Sequence, residues 1–303
     1  MNPSTSVAIV SICGPAHLRR CLEALRKQVD TAPFEVVVAY DPELKGLADL
    51  AREYPEARFL ATPGERTPLE LAARALRESR GEVLLLTEDH CVPEPDWVRN
   101  LPLELRNGRA AAGGTVNILR GAGATDWAFY FVDFFRYAEP VIDGPSPTLT
   151  VCNVAYRRDQ LNALQGAGWR TFFHETIVND SLRTQFGELY LTSKARVSMA
   201  RHVSLADAVR ERYAFGRLFG CMRLRHLPRG MTRIAHQVGA PLLPLLLMGR
   251  MAGKALKSPA LSLRFGGAFV PLTLMVLAWS WGEWLGYLTD RYPSRLTTAP
   301  ETE

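Results

Sequence analysis

The sequence predicts an α/β protein with a mostly parallel sheet flanked by helices. Three observations carry that expectation. Short apolar runs alternate with helix-period segments from Val7 to about Glu104. The apolar runs end abruptly on polar residues, most sharply at Glu88, Asp89 and His90. The chain has 303 residues, 47% hydrophobic and 22% charged, enough for one large domain or two smaller ones.

VAIVSIC (Val7–Cys13) reads as a strand, and PAHLRRCLEALRKQ (Pro15–Gln28) as a helix with Pro near its first turn and Leu18, Leu22 and Leu25 on one face. FEVVVAY (Phe34–Tyr40) is a second strand that ends at Asp41. LADLAREY is a helix, ARFLAT a short strand, and TPLELAARALRES (Thr67–Ser79) a helix with Thr67 at the N-cap and Pro68 at the first helical position. GEVLLLT (Gly81–Thr87) is then a buried strand.

Lys and Arg number 36 against 31 Asp and Glu, giving +5 and a pI near 9.0, a mild balance that is unevenly spread along the chain. Five cysteines, Cys13, Cys21, Cys91, Cys152 and Cys221, form no CxxC pair and no even framework. Neither a zinc site nor a disulfide scaffold is expected from them, and a reducing compartment fits. The opening MNPSTSVAIVSIC lacks a basic n-region and a long apolar run, so it reads as the first strand and not as an export signal.

Ligands in open α/β sheets sit at the carboxyl ends of strands, which singles out Asp41, Glu88, Asp89 and His90. The plain alternative is that Glu88 and Asp89 cap the adjoining turn VPEPDW. Carboxylate and imidazole are, however, ligands for divalent cations, and a cation there bridges to nucleotide phosphates. The chain has no Walker lysine loop and no GxGxxG, so a phosphate ligand would need the metal, with arginines to help.

VAIVSIC, LRRCLEALRKQ, FEVVVAYD and SRGEVLLLTEDHCVPEPDW, in that order, resemble the N-terminal half of family 2 glycosyltransferases, which have the GT-A fold. The resemblance implies that Asp41 contacts the nucleotide base and that Asp89 stands in the D-x-D motif that binds metal and sugar nucleotide. Thr87 occupies the place of that motif's first Asp, leaving Glu88 and Asp89 with His90 just behind. Farther on, TVCNVAYRRDQL (Thr150–Leu161) is similar to the family's G-x-N-x-A-x-R-R segment, which places Asn153 among the substrate contacts, with Cys152 where Gly is usual. GWRTFFHETIVNDSLRTQFG (Gly168–Gly187) looks like the stretch that carries the family's E-D motif. Glu175 fits its acid and Thr176 replaces its Asp. The candidate bases are therefore Glu175 and Asp180. Five residues apart on a helix, they lie about 140° apart and do not share one face. Glu175 is the preferred base, since a carboxylate within hydrogen-bond reach suits proton removal from an acceptor hydroxyl. The alternative for Glu175 is an acid favoured by the helix dipole.

ARVSMARH (Ala195–His202) resembles the family's strand that ends in a His, which would make His202 a metal ligand beside Asp89 and His90. RERYAFGR (Arg210–Arg217) looks like the basic-aromatic segment that closes over the donor diphosphate, with Arg212 and Arg217 as candidates. Eight arginines and no lysine lie between Arg201 and Arg233, interleaved with aromatics. With long uncharged runs on its C-terminal side, such a segment suits an anionic leaflet better than nucleic acid.

Those runs, sixteen residues from Ile234 to Gly249 and eighteen from Phe265 to Gly282, carry no formal charge. The second reaches spanning length, and Trp279, Trp281, Trp284 and Tyr287 form an aromatic belt near its end. The first holds Pro241 and Pro244. The expected organisation is a catalytic domain over 1–200, a basic amphipathic interface segment over 201–233, membrane-associated or transmembrane helices over 234–290 and a disordered tail over 291–303. The resemblance implies an inverting glycosyltransferase that uses Mg²⁺ or Mn²⁺, a nucleotide-sugar donor and a glycan or lipid-linked acceptor. It would contact membrane lipids and no nucleic acid, on the cytosolic face of the inner membrane, in envelope polysaccharide or glycolipid synthesis. The alternative is a nucleotide-sugar-binding subunit that has lost turnover, suggested by Thr87 and Thr176.

Overall fold

The computed structural model describes residues 4–63, 67–106, 108–166, 168–226 and 231–291. The elements run β1 (Thr5–Ser11), α1 (Pro15–Arg26), β2 (Glu35–Tyr40), α2 (Leu47–Glu53), β3 (Ala57–Ala61), α3 (Pro68–Glu78), β4 (Val83–Glu88), β5 (Cys91–Pro93), α4 (Trp97–Leu103), β6 (Ala111–Ile118), α5 (Ala124–Phe134), β7 (Gly144–Pro145), β8 (Val154–Arg157), α6 (Arg158–Ala163), α7 (Glu175–Phe186) and β9 (Leu189–Met199). The rest is helical: α8 (Leu205–His226), α9 (Met231–Gly239), a 3₁₀ turn (Ala240–Leu242), α10 (Leu243–Ala255), α11 (Pro259–Gly267) and α12 (Phe269–Thr289). They form two compact units, one of residues 1–119 and 137–201, the other of 120–136 and 202–299.

The first unit holds one sheet in the order β3-β2-β1-β4-β8-β6-β9-β5, with β7 beside β9. β1 pairs in parallel with both β2 and β4, and β2 with β3. This is the α/β half expected from the sequence. β8 runs antiparallel to both β4 and β6, while β6 and β9 are parallel, so the sheet as a whole is mixed. Fully buried Val7, Ala8 and Ile9 of β1 and Leu84, Leu85 and Leu86 of β4 form the middle of the core, which explains their continuous apolar runs. The start of α3 is fixed by a capping box: Thr67 Oγ1 accepts the Glu70 amide at 3.3 Å and Glu70 Oε2 accepts the Thr67 amide at 2.9 Å.

The second unit is helical. α8 and α12 approach so closely that a Cβ on Gly216 would lie 2.2 Å from the Trp279 carbonyl oxygen, and one on Gly282 2.2 Å from that of Tyr213. Gly220 meets Glu283 and Gly286 meets Arg217 in the same way. Each step of four along α8 matches a step of four along α12, so the two helices run parallel with glycines forming the seam. Arg212 is buried in this unit, paired with Asp133 and, at 2.9 Å, with Glu211, and lying over the Phe129 ring.

The aromatic helix α5 packs with α11 and α12 in the helical unit, Phe131 against Phe265 at 5.5 Å between ring centres. Each uncharged run is divided between more than one helix. The first breaks into α9, the 3₁₀ turn and α10 at Pro241 and Pro244, and the second is bent by 74° between α11 and α12 beside Gly266 and Gly267. Among the described residues no single helix is long and apolar enough to cross a membrane, though α11 and α12 together have the length and composition. Residues 292–303, most of the expected tail, lie outside the described residues.

Candidate active site

The registers of β1 bring the carboxyl ends of β2 and β4 to one sheet edge. Ser11 pairs with Tyr40, the residue before Asp41, and Val10 pairs with Glu88. Asp41 is partly exposed there and accepts the Glu43 amide at 2.9 Å, which fixes the turn after β2. Glu88 is the last residue of β4, and Asp89 and His90 turn the chain into β5.

Asp89 is fully buried and its two oxygens do different work. Oδ2 accepts the Ser11 hydroxyl and the Ile12 and Cys13 amides, each at 2.9 Å, tying the end of β4 to the turn between β1 and α1. Oδ1 accepts no hydrogen bond and lies 3.9 Å from His90 Nδ1. That nitrogen is also 3.5 Å from Glu88 Oε2 and 3.8 Å from Cys13 Sγ. Burial pushes the Glu88 carboxyl up to about 7. Burial opposes charge on His90 and Cys91 too. For the imidazole the neighbouring Cys91 outweighs it, helped by Asp89 and Cys13 beside the ring, so it titrates well above its ordinary value; for the Cys91 thiol the hydrogen bond with Cys152, followed by the attraction to His90, outweighs it, so that thiol titrates below its own.

Turn 150–153 closes the site from the other side. Thr87, buried, donates its hydroxyl to the Cys152 carbonyl at 2.9 Å. Glu175, first residue of α7, accepts the Val151 amide through Oε2 at 2.8 Å. The hydrogen bond to Cys91, followed by burial and then by the charges of Cys91, Glu88 and Glu175, keeps the Cys152 thiol well above its ordinary range. The structure thus gathers Asp41, Glu88, Asp89, His90 and Glu175 on one edge of the first unit.

The other expected site residues stand differently. Asn153, expected as a substrate contact, is fully buried and saturated: it accepts the Trp97 indole N–H at 2.8 Å and donates to the Thr115 and Ala195 carbonyls at 2.9 and 3.0 Å. It stitches β6 to β9 where the register shifts at Gly114, a position where a Cβ would sit 1.9 Å from the Ala195 oxygen. Asn153 is therefore a strut of the sheet. Asp180 is exposed and paired with Arg183 at 2.6 Å, away from Glu175. His202, Arg212 and Arg217 belong to the helical unit. The His202 ring lies 2.9 Å from Asp126, Arg212 is held by Asp133 and Glu211, and Arg217 donates to the Arg291 carbonyl at 3.0 Å. Sequence reasoning missed Asp126 and the thiols Cys13, Cys91 and Cys152. Their signal was adjacency: Cys91 follows His90 and Cys152 precedes Asn153.

The residues fit a divalent cation. A buried carboxylate oxygen without a hydrogen bond, Asp89 Oδ1, faces His90 beside the Glu88 carboxylate, a donor set of oxygen and imidazole.

The sequence model of a family described as glycosyl transferase family 2 matches residues 6–164. No curated protein matches significantly. Among solved structures, the chain is similar to the mannosyltransferase PcManGT from Pyrobaculum calidifontis in complex with GDP-Man and Mn²⁺, at 16% identity, over 96% of this chain and 88% of that one, with a TM-score of 0.57. It is also similar to residues 1–349 of S. aureus TarS in complex with UDP-GlcNAc, at 13% identity over 90% of each chain, with a TM-score of 0.50. At these identities the likeness is one of fold.

Proposed function

Because the chain belongs to glycosyl transferase family 2, and is a glycosyltransferase by that membership, we propose that it moves a sugar from a nucleotide-sugar donor to a hydroxyl acceptor with inversion, using the sheet edge at Glu88–His90. The observation that carries this reading is the pairing of Asp89 Oδ1, without a hydrogen bond, with His90 and Glu88 at the end of β4, together with Glu175, the first residue of α7, anchored to turn 150–153 through the Val151 amide.

Each residue has a role in this reading. Asp41, at the end of β2, meets the nucleotide. Asp89, His90 and Glu88 hold Mg²⁺ or Mn²⁺. The cation, when bound, neutralises charge on the departing nucleotide diphosphate. Glu175 takes the acceptor hydroxyl's proton as that oxygen attacks the anomeric carbon. The carboxylate has a fixed orientation because Oε2 is held by the Val151 amide. Ser11 and the Ile12 and Cys13 amides hold Asp89 in place through Oδ2, so its other oxygen needs no reorganisation when a ligand arrives.

The setting we propose is the cytosolic face of the inner membrane, with an envelope polysaccharide or glycolipid precursor as acceptor. In the helical unit Val238, Leu245, Leu256, Leu263 and Val270 are each more than two-thirds exposed. Exposed apolar side chains on that scale mark an interaction surface, and exposed Arg210 and Arg223 in the same unit suit an anionic leaflet. The test is donor turnover with and without chelator, together with the anomeric configuration of the product. A retained configuration would rule out the proposed displacement.

A further inference from the structure

Two buried thiols near Glu88 have no part in glycosyl transfer. Cys91 opens β5, and Cys152 sits in the turn before β8. One ligand atom from each of His90, Cys91 and Cys152 lies within 4.8 Å of the other two, and the three residues are buried at 3%, 0% and 3% exposure. The cysteines are not joined as a disulfide.

We propose that His90, Cys91 and Cys152 form a binding site for a thiophilic divalent cation such as Zn²⁺, separate in donor chemistry from the oxygen-bearing set of Asp89 and Glu88. Two thiolates and an imidazole are the ligands that Zn²⁺ takes in tetrahedral sites, with a fourth position left for water or another donor. Mg²⁺ and Mn²⁺ favour oxygen and gain little from sulfur.

The backbone under all three ligands is already fixed. The His90 carbonyl accepts the Ala200 amide at 2.8 Å, Cys91 is paired with Met199 of β9, and the Cys152 carbonyl accepts the Thr87 hydroxyl at 2.9 Å. A cation is therefore met by ligands that need only lose protons, the arrangement that favours tight binding. The nearest carboxylate to the ring is Glu88, with Oε2 3.5 Å from His90 Nδ1 and the side chain 13% exposed.

His90 belongs to two clusters, one with Cys91 and Cys152 and one with Cys13 and Asp89. A cation drawn to the thiols takes the imidazole with it and leaves the oxygen side short of one ligand. Zn²⁺ then antagonises Mn²⁺-supported transfer even when Mn²⁺ is saturating. This consequence rests on the transferase reading above; the binding itself does not.

The test titrates the reduced full chain with Cd²⁺ and Co²⁺ and monitors thiolate-to-metal charge-transfer absorption. The expected result is one equivalent of Cd²⁺ bound with a thiolate band, Co²⁺ spectra of tetrahedral type displaced by Zn²⁺, and no response to Mg²⁺. Cys91→Ser and Cys152→Ser each weaken binding by more than the roughly 10–100-fold lost when only a group orienting a ligand is changed. Cys221→Ser, in the helical unit, keeps the band. Circular dichroism checks that the variants fold. Zn²⁺ protection of Cys91 and Cys152 from alkylation in the unmutated protein gives the same answer should a variant not fold. Absence of a thiolate band at stoichiometric Cd²⁺, a band unchanged in both serine variants, or no protection from alkylation overturns the proposal. A band in a protein that releases no nucleotide would uphold the site and sink the transferase reading alone.

Discussion

Glu175 Oε2 accepts the Val151 amide at 2.8 Å, so the acid at the start of α7 is anchored to the turn that Thr87 also grips through the Cys152 carbonyl. The link joins a helix from late in the chain to the end of β4. Replacing Glu175 with Gln keeps an oxygen for the Val151 amide but removes the base. We expect turnover to fall by about 10²–10⁴-fold, with donor affinity and melting temperature nearly unchanged. A parallel loss of melting temperature would mean that Glu175 is structural.

Asp89 answers three donors through one oxygen in a fully buried place. Asp89→Ala strands those donors and should destabilise the first unit by roughly 3 kcal/mol or more. Asp89→Asn, which keeps an acceptor for them, should cost less while still weakening Mn²⁺ binding. Denaturant unfolding and metal titration of both variants separate the two roles; equal stability losses would contradict the division between Oδ1 and Oδ2.

Asn153→Ala removes the partner of Trp97 Nε1 and of the Thr115 and Ala195 carbonyls. The expected loss is on the order of 3 kcal/mol in stability, with KM for the donor unchanged in the protein that folds. A KM effect without a stability effect would restore Asn153 as a substrate contact.

The expectations that held were local ones. β1, α1, β2, α3 and β4 arise from apolar runs of strand length, a Leu18–Leu22–Leu25 face and the Thr67–Pro68 start, all encoded within a dozen residues. The presence of Glu88 at the strand end was legible for the same reason. Asn153 was not, because its partners Trp97 of α4, Thr115 of β6 and Ala195 of β9 are 38 to 56 residues away and only the tertiary fold brings them together. β6 itself is hidden by Gly113 and Gly114, which weaken a strand signal yet are needed where Leu149 and Ala195, respectively, come close. The partners that Arg212 and His202 take in the structure, Asp133 and Asp126, were not legible either, lying 79 and 76 residues upstream. Where the uncharged runs divide into separate helices was not legible, since composition does not record the 74° bend between α11 and α12.

The glycine seam of the helical unit makes its own prediction. Gly216→Ala or Gly282→Ala forces α8 from α12 and should destabilise that unit by about 1–3 kcal/mol or more. Gly253→Ala in α10, where a Cβ meets nothing within 4 Å, should be neutral or stabilising by up to about 1 kcal/mol. Thermal unfolding of the three variants in one detergent checks this, and equal effects would contradict the seam.

Exposed Leu245 and Leu246 in α10 bear on the membrane setting. The full chain should sediment with vesicles containing anionic lipid, release with rising salt, and bind more weakly as the Leu245→Ser, Leu246→Ser double variant. Binding that ignores both salt and the double substitution would place the contact elsewhere.

The most direct test of the transferase site is nucleotide diphosphate release from UDP-, GDP- and dTDP-sugars with Mn²⁺ or Mg²⁺, run on the detergent-solubilised protein beside Glu88→Gln and Glu175→Gln, with donor binding measured in parallel. The expected result is release from one donor class, abolished by chelator and reduced at least about 100-fold in Glu175→Gln while that variant still binds donor. Donor binding without release in the unmutated protein, even with membrane lipid extract present, or release unchanged in Glu175→Gln, would contradict it.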